Sequence, residues 1–229
     1  MSGTANDELF PRARSEIAPG AVHVPDWLPL DEQRKLIAAC REWARPPAGL
    51  RTVRTPGGGV MTARQVGLGW HWFPYGYART AVDGDGAPVK PMPPWVAELG
   101  RAAVEAAYGK RELAAAGDED AYDIALINFY DADARMGMHR DADEKSPAPV
   151  VSLSLGDSCV FRFGNTETRT KPYTDIELRS GDLVVFGGPS RLAYHGVPRV
   201  HGGTAPLELG LTGRLNITLR VSGLHGLNS

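Results

Sequence analysis

From Asp123 onward the chain becomes a series of short apolar segments separated by turn residues. Short segments in which apolar and polar positions alternate are typical of β-strands, and a run of them predicts a β-sandwich or jelly roll. The predicted strands are 123–130, 136–139, 149–155, 159–163, 174–178, 182–187, 191–195 and 214–221. Upstream, apolar stripes predict helices from Leu30 to Trp43 and from Pro94 to Tyr108. The expected fold class is mainly β with flanking α-helices.

His139 and Asp141 flank a single arginine near the end of one predicted strand. Residues i and i+2 of a strand point to the same face, so an imidazole and a carboxylate can reach one point there. His195 is the best candidate for a third ligand. Two histidines and one carboxylate on one side of a metal leave the opposite positions open, which is the arrangement of non-haem Fe(II) oxygenases. The alternative for an isolated His-x-Asp pattern is a surface turn.

The last predicted strand carries a second polar pattern. Arg214, Asn216, Thr218 and Arg220 alternate with Leu215, Ile217 and Leu219. One face of that strand is therefore apolar, and the other is cationic and hydrogen-bonding. Guanidinium groups bind carboxylates through paired hydrogen bonds, so two arginines on one face suit a dicarboxylate. Beside a metal triad, this pattern favours an iron site that uses 2-oxoglutarate. The alternative is a solvated sheet face.

Six segments occur together in a fixed order. They are GLGWHWFPYGY (67–77), LINFY (126–130), MGMHRDAD (136–143), SLSLGDSCVFRFG (152–164), SGDLVVFGGPSRLAYHGV (180–197) and RLNITLR (214–220). With these segments the chain resembles the AlkB family of Fe(II)- and 2-oxoglutarate-dependent nucleic-acid dealkylases. The resemblance implies a double-stranded β-helix (jelly-roll) core at 123–221 and a nucleotide-recognition lid at 55–80.

The resemblance also implies roles for the residues that hold the cofactors. His139, Asp141 and His195 would bind Fe(II). The co-substrate residues it implies are Arg214, Tyr130 and Asn216 for the distal carboxylate of 2-oxoglutarate, and Arg220 and Asn128 for the carboxylate beside the metal. O2 would take the remaining position.

Four further residues are implied to bind the substrate base. Trp70 and Tyr77 match the Trp and Tyr of the family's lid, although the loop expected at 67–77 is so aromatic that it also suits plain packing. Asp143 would accept a hydrogen bond from the exocyclic amine of the base, and its alternative is a solvated acid. Arg169 falls where the family has a base-contacting arginine.

The implied reaction removes alkyl groups from bases such as 1-methyladenine and 3-methylcytosine in DNA, with RNA as a second candidate. It releases formaldehyde, succinate and CO2. The target base must be flipped out or single-stranded to reach a buried iron. Two alternatives remain open: the same chemistry on a protein side chain or small molecule, and a non-catalytic jelly-roll binding module.

Composition places weaker limits on function. The formal net charge is −2, so a nucleic-acid partner requires a local basic surface, for which Arg79, Arg135 and Arg140 are candidates. Cys40 and Cys159 are the only cysteines, which excludes a disulfide framework. With no apolar leader or long apolar run, we expect a cytoplasmic monomer. Its expected organisation is a loosely ordered segment at 1–20 and a single domain at 21–229.

Overall fold

The computed structural model of the protein describes residues 11–109 and 122–224. The strands of the first half are β1 (Ser15–Ala18), β2 (Ala21–Val24), β3 (Arg51–Arg54), β4 (Val60–Leu68), β5 (His71–Phe73) and β6 (Gly76–Ala78). Those of the second half are β7 (Ile124–Tyr130), β8 (Met136–His139), β9 (Val150–Gly156), β10 (Ser158–Phe163), β11 (Thr174–Leu178), β12 (Leu183–Phe186), β13 (His195–His201) and β14 (Arg214–Arg220). The helices are α1 (Leu30–Trp43) and α2 (Pro94–Tyr108).

The strands form a large sheet, a small sheet and a separate hairpin. The large sheet has the order β1-β2-β12-β9-β14-β7-β4-β3, and the small sheet has the order β11-β10-β13-β8. β5 and β6 pair only with each other. The two sheets pack face to face and form the expected jelly-roll core.

Alternation along the central strands divides the large sheet into two faces. On β12, Leu183 and Val185 join the hydrophobic cluster beneath α1 and α2, whereas Val184 and Phe186 join the cluster between the two sheets. β14 follows the same rule, with Ile217 and its apolar neighbours on the helix side. The polar side chains of β14 consequently lie between the sheets, where the site forms.

The helix bounds match the predictions. Asp31 and Glu32 lie in the first turn of α1, where they complement the helix dipole. α2 begins at Pro94 and ends at Gly109, whose φ of 70° is the left-handed conformation that favours glycine. Residues 55–59 form the turn that joins β3 to β4.

Three local predictions differ from the structure. Residues 191–194 are not a strand: a 3-10 helix at Gly188–Ser190 runs into a turn, and β13 begins at His195. The segment at 67–77 is not a loop but the end of β4 followed by the β5–β6 hairpin. Within the segment expected to be loosely ordered, β1 pairs with β2, and Arg12 binds Asp182.

Other parts of those predictions fall outside the structure. Residues 1–10 and the connection at 114–120 lie outside the described residues. Neither α1 nor α2, the α-helices of the described residues, has the length and apolar character needed to cross a membrane.

Candidate active site

Three ligand-type side chains converge between the sheets. His195 begins β13 and pairs in register with His139, the last residue of β8. Asp141 follows just beyond the end of β8, so it reaches the two imidazoles from a turn and not, as predicted, from a continuing strand. Its carboxylate oxygens lie 3.8 Å from His139 Nε2 and 3.7 Å from His195 Nε2. One ligand atom from each residue lies within 4.8 Å of the others, a spacing that suits a single metal ion.

Backbone carbonyls orient both imidazoles. Nδ1 of His139 is 2.9 Å from the carbonyl oxygen of Gly137, and Nδ1 of His195 is 3.0 Å from that of Ala193. A carbonyl only accepts hydrogen bonds, so each Nδ1 carries the proton and each Nε2 keeps a lone pair. The free lone pairs face Asp141, as metal ligands require.

The charges of the site also suit a cation. Burial, together with the nearby His139, lowers the pKa of His195 to about 4, so its imidazole is neutral at pH 7. Burial opposes ionisation of Asp141, but Arg220 and the two histidines outweigh it and lower the pKa of Asp141 to about 2. Neutral imidazoles and an ionised carboxylate are the protonation states that bind Fe(II).

Arg214 supplies the second half of the site. Its side chain is 1% exposed, and its Nη2 donates to Ser154 Oγ at 3.1 Å. Its Nε and Nη1 have no hydrogen-bond partner among the described residues. Buried guanidinium donors without a partner cost free energy, so this arrangement suits a ligand that brings a carboxylate. Asp141 Oδ2 is likewise buried without a hydrogen bond, as expected for a metal-binding oxygen.

The cavity brings the predicted cofactor residues together. The side chains that line it include His139, Asp141, His195, Asn128, Tyr130, Arg214, Asn216 and Arg220. The Arg214 guanidinium lies 5.0 Å from the ring centre of Tyr130. Asn216 donates to Ser152 Oγ at 2.8 Å, and Asn128 accepts from Gln65 at 3.1 Å. The cavity therefore combines a metal-type triad with an arginine able to bind a dicarboxylate, and its residues fit both groups.

Arg220 links the triad to a buried acidic residue. Its Nη2 donates to Asp141 Oδ1 at 2.7 Å, and its Nη1 donates to Glu144 Oε1 at 2.9 Å and to the Tyr77 hydroxyl at 3.0 Å. Arg191 donates to Glu144 Oε2 at 2.9 Å. The Glu144 side chain is fully buried, and these two cations overcome its burial and lower its pKa.

Glu144 and Arg191 were missed by the sequence analysis. Arg191 also donates to the carbonyl oxygens of Asp141 and Ala148, at 2.7 and 2.8 Å, and thereby holds the segment that carries Asp141. The only local signal was the acidic run that contains Asp141, Asp143 and Glu144. That run did not indicate which acid would be buried.

The predicted substrate residues lie in different environments. Tyr77 donates its hydroxyl proton to Glu144, beside the triad. Asp143 is half-buried and accepts from Trp72 Nε1 at 2.8 Å. Trp70 is 4% exposed and does not line the cavity: its Nε1 donates to Asp123, and the guanidinium of Arg79 lies 3.5 Å from its ring centre. Base stacking by Trp70 therefore stays a prediction.

The candidate phosphate-binding arginines are exposed. Arg140 and Arg169 approach the ring of Tyr194, the residue before His195, at 5.4 and 5.8 Å from its centre. Arg135 is exposed near β4, where its backbone N–H donates to Thr62 Oγ1. Arg140 and Arg169 therefore lie beside the triad, whereas Arg79 is occupied by Trp70.

Comparison with known proteins agrees with this site. The model of the 2OG-Fe(II) oxygenase superfamily matches residues 20–220. The chain therefore belongs to this superfamily, and the triad and Arg214 are the side chains that would hold its Fe(II) and 2-oxoglutarate.

The relatives define the family within that class. The "Alpha-ketoglutarate-dependent dioxygenase AlkB homolog" of Caulobacter vibrioides is 36% identical over 210 residues, which are 89% of this chain and 88% of that protein. AlkB of Escherichia coli K12 is 36% identical over 179 residues, 76% of this chain and 77% of that protein. The protein is thus a member of the AlkB family.

Plant relatives share the same core. The "DNA N(6)-methyladenine demethylase ALKBH1D" of Arabidopsis thaliana is 32% identical over 222 residues, but the match spans only 50% of its length. The solved structure of OsALKBH1 superposes with a TM-score of 0.78 at 33% identity, covering 90% of this chain and all of that one. The chain thus spans about half the length of the curated Arabidopsis relatives ALKBH1D and ALKBH1C.

Proposed function

We propose that this protein removes alkyl groups oxidatively from the ring nitrogens of nucleic-acid bases, such as 1-methyladenine and 3-methylcytosine in DNA. The observation that carries the proposal is a complete His139–Asp141–His195 triad beside the buried guanidinium of Arg214, whose Nε and Nη1 have no partner among the described residues. The names of the relatives, which include AlkB and DNA and tRNA demethylases, support nucleic acid as the substrate.

The residues of the cavity would have the following roles. Arg214, with Tyr130 and Asn216, binds the distal carboxylate of 2-oxoglutarate, while Asn128 and Arg220 lie toward the metal end. Arg220 also holds Asp141 through its 2.7 Å ion pair, so one oxygen of that carboxylate stays directed at the metal. When bound, Fe(II) and 2-oxoglutarate would use O2 to hydroxylate a methyl group on the ring nitrogen, and the resulting hydroxymethyl group would leave as formaldehyde.

The outer residues would bind the substrate. The Tyr77 hydroxyl binds Glu144 beside the triad, and Asp143 follows Asp141 by two residues. Asp143 would offer its carboxylate to the exocyclic amine of a cationic base. Arg140 is exposed beside Tyr194 and is suited to a phosphate of the same strand, while Arg169, which approaches the same ring, would contact the base. Because the triad lies between two sheets, the base must be flipped out or single-stranded.

Two finer points belong to the same proposal. We also propose that the protein is a monomer, since its sequence shows no coiled-coil pattern. Fe(II) and the two free, buried cysteines, Cys40 and Cys159, suit a reducing compartment such as the cytoplasm.

The test is product release from defined oligonucleotides. The protein is supplied with Fe(II), 2-oxoglutarate and ascorbate, and with single-stranded DNA that carries one 1-methyladenine. Its duplex, an RNA version and an N6-methyladenine oligonucleotide are run alongside. Release of formaldehyde and succinate with restored adenine is the expected result, and His139→Ala and Asp141→Ala should abolish it.

The other outcomes decide against the proposal. Succinate without base repair would indicate oxygenase chemistry on a protein side chain or small molecule. If neither product formed although iron was bound, the protein would be a non-catalytic module. Normal repair by either alanine variant would contradict the metal assignment.

A further inference from the structure

The β5–β6 hairpin rests on the acidic turn that follows the metal ligand Asp141. Trp72 and Tyr77 are directly opposite each other in the hairpin, so their side chains lie on the same face. Both side chains bind the turn: Trp72 Nε1 donates to Asp143 Oδ2 at 2.8 Å, and the Tyr77 hydroxyl donates to Glu144. The hairpin therefore presents two aromatic side chains to the residues next to the triad.

The two tryptophans of this region are not equivalent. Trp70 is 4% exposed, its N–H is used by Asp123, and Arg79 covers its ring at 3.5 Å. A base could stack on that face only by displacing the guanidinium. Trp72 is only half-buried, and its N–H donates to the carboxylate of Asp143. That is the carboxylate which, under the proposed function, would bind the exocyclic amine of the base.

We propose that Trp72 is a specificity-determining residue. Before the base binds, the indole N–H of Trp72 donates to Asp143. When the target base enters, its exocyclic amine takes over Asp143, and the Trp72 ring lies against the base. This inference rests on the proposed function. It assigns to Trp72 the base contact that family resemblance gives to Trp70.

The hydrogen-bond exchange determines which bases are favoured. A base with an exocyclic amine replaces one N–H···O bond to Asp143 with another, so the exchange is nearly neutral. A base with a carbonyl at that position, such as 3-methylthymine, cannot donate. Trp72 then stays on Asp143 and prevents two acceptors from facing each other. The Trp72–Asp143 bond therefore moderates the preference for amine-bearing bases.

Removing only the indole N–H should sharpen that preference. In Trp72→Phe the carboxylate of Asp143 is no longer bound by the indole, so it gains a hydrogen bond from the amine of 1-methyladenine. It repels the carbonyl oxygen of 3-methylthymine, because both groups are acceptors. The ratio of the two dissociation constants should rise about tenfold, the equivalent of one hydrogen bond of about 1.4 kcal/mol. Trp72→Ala removes the ring as well as the N–H, so it should bind 1-methyladenine about tenfold more weakly than Trp72→Phe because stacking is lost.

The experiment is a binding titration on the full chain loaded with Fe(II) and 2-oxoglutarate without oxygen, so that no turnover occurs. Fluorescence anisotropy of labelled single strands that carry 1-methyladenine or 3-methylthymine gives the two dissociation constants. Trp95→Phe, on the exposed surface of α2, is the control and should match wild type. Trp70→Phe, which removes the N–H that binds Asp123, should leave the ratio at the wild-type value.

Each outcome separates the two proposals. An unchanged ratio in Trp72→Phe overturns the inference, and so does a shift of equal size in Trp70→Phe. Because the phenylalanine variant keeps an aromatic ring in the hairpin, the test stands even where Trp72→Ala fails to fold. Formaldehyde release by the wild type with an unchanged ratio would refute only the role of Trp72, whereas absence of release would refute both proposals.

Discussion

Asp182 is a buried carboxylate whose replacement should make the fold much less stable. Its side chain is fully buried and accepts two hydrogen bonds of 2.7 Å from Arg12 and one of 2.9 Å from His23. The backbone N–H groups of Asp26 and Arg179 donate to it at 3.0 Å. Asp182→Asn would place an amide N–H2 group opposite several donors, so at least two of these bonds would be lost.

The size of the effect follows from the pKa. Burial opposes ionisation of Asp182, but the bonds from His23 and Arg12 outweigh it and lower its pKa from 3.8 to about 2. At pH values above the unfolded-state pKa, this lowered pKa stabilises the folded state by about 2.5 kcal/mol. The contribution is lost as the pH falls through the folded-state pKa of Asp182. About 1 kcal/mol of it should disappear between pH 5 and pH 3.

Urea denaturation at pH 7, 5 and 3 tests this reasoning. We expect Asp182→Asn to lower the free energy of unfolding by about 2 to 4 kcal/mol at pH 7. Its difference from wild type should shrink by about 1 kcal/mol from pH 5 to pH 3. The control is Asp175→Asn, whose carboxylate is 39% exposed and pairs with Arg162 at the surface, and which should cost less than about 1 kcal/mol. A constant difference across this pH range would refute the assignment.

Three further predictions concern the site. Arg214→Met removes the buried donors that have no partner among the described residues, so the KM for 2-oxoglutarate should rise about 100-fold with a smaller change in kcat. Succinate release measures both constants, and an unchanged KM would place the co-substrate elsewhere. Glu144→Gln leaves a buried guanidinium opposite an amide N–H, so the free energy of unfolding should fall by about 3 kcal/mol in urea denaturation, and unaltered stability would count against that ion pair. Arg140→Gln should reduce the salt dependence of oligonucleotide binding by about one phosphate contact, whereas Arg162→Gln, already paired with a carboxylate, should not; equal slopes would exclude Arg140 from the interface.

Strand periodicity explains why much of the site was predictable. The alternation along β14 predicted that Arg214, Asn216 and Arg220 share one face, and all three line the same cavity. Periodicity does not show what covers a strand, so the pattern of β14 taken by itself suits a solvated face as well as a binding face, and the triad elsewhere in the sequence made the binding face the favoured prediction. The metal triad in the small sheet decides between these possibilities, since β8 and β13 pack over that face.

The missed residues depend on contacts between distant segments. Glu144 is buried because Arg191 and Arg220 reach it from segments 47 and 76 residues away in the chain. No local pattern predicts such a pairing. The apolar residues around Arg191 suit a strand, but its guanidinium binds two carbonyl oxygens and the carboxylate of Glu144, and this holds the segment in a turn. Trp72 was missed for the same reason, since its partner Asp143 lies 71 positions further along the chain.

The position of β14 makes both halves of the site depend on one strand. β14 lies between β9 and β7, so it joins the two halves of the large sheet. A chain truncated before Arg214 would keep His139, Asp141 and His195, but it would have two half-sheets with no central strand and neither cavity arginine. The triad therefore gains its two arginines only when β14 pairs with both neighbours, and a completed site reports that the large sheet has closed.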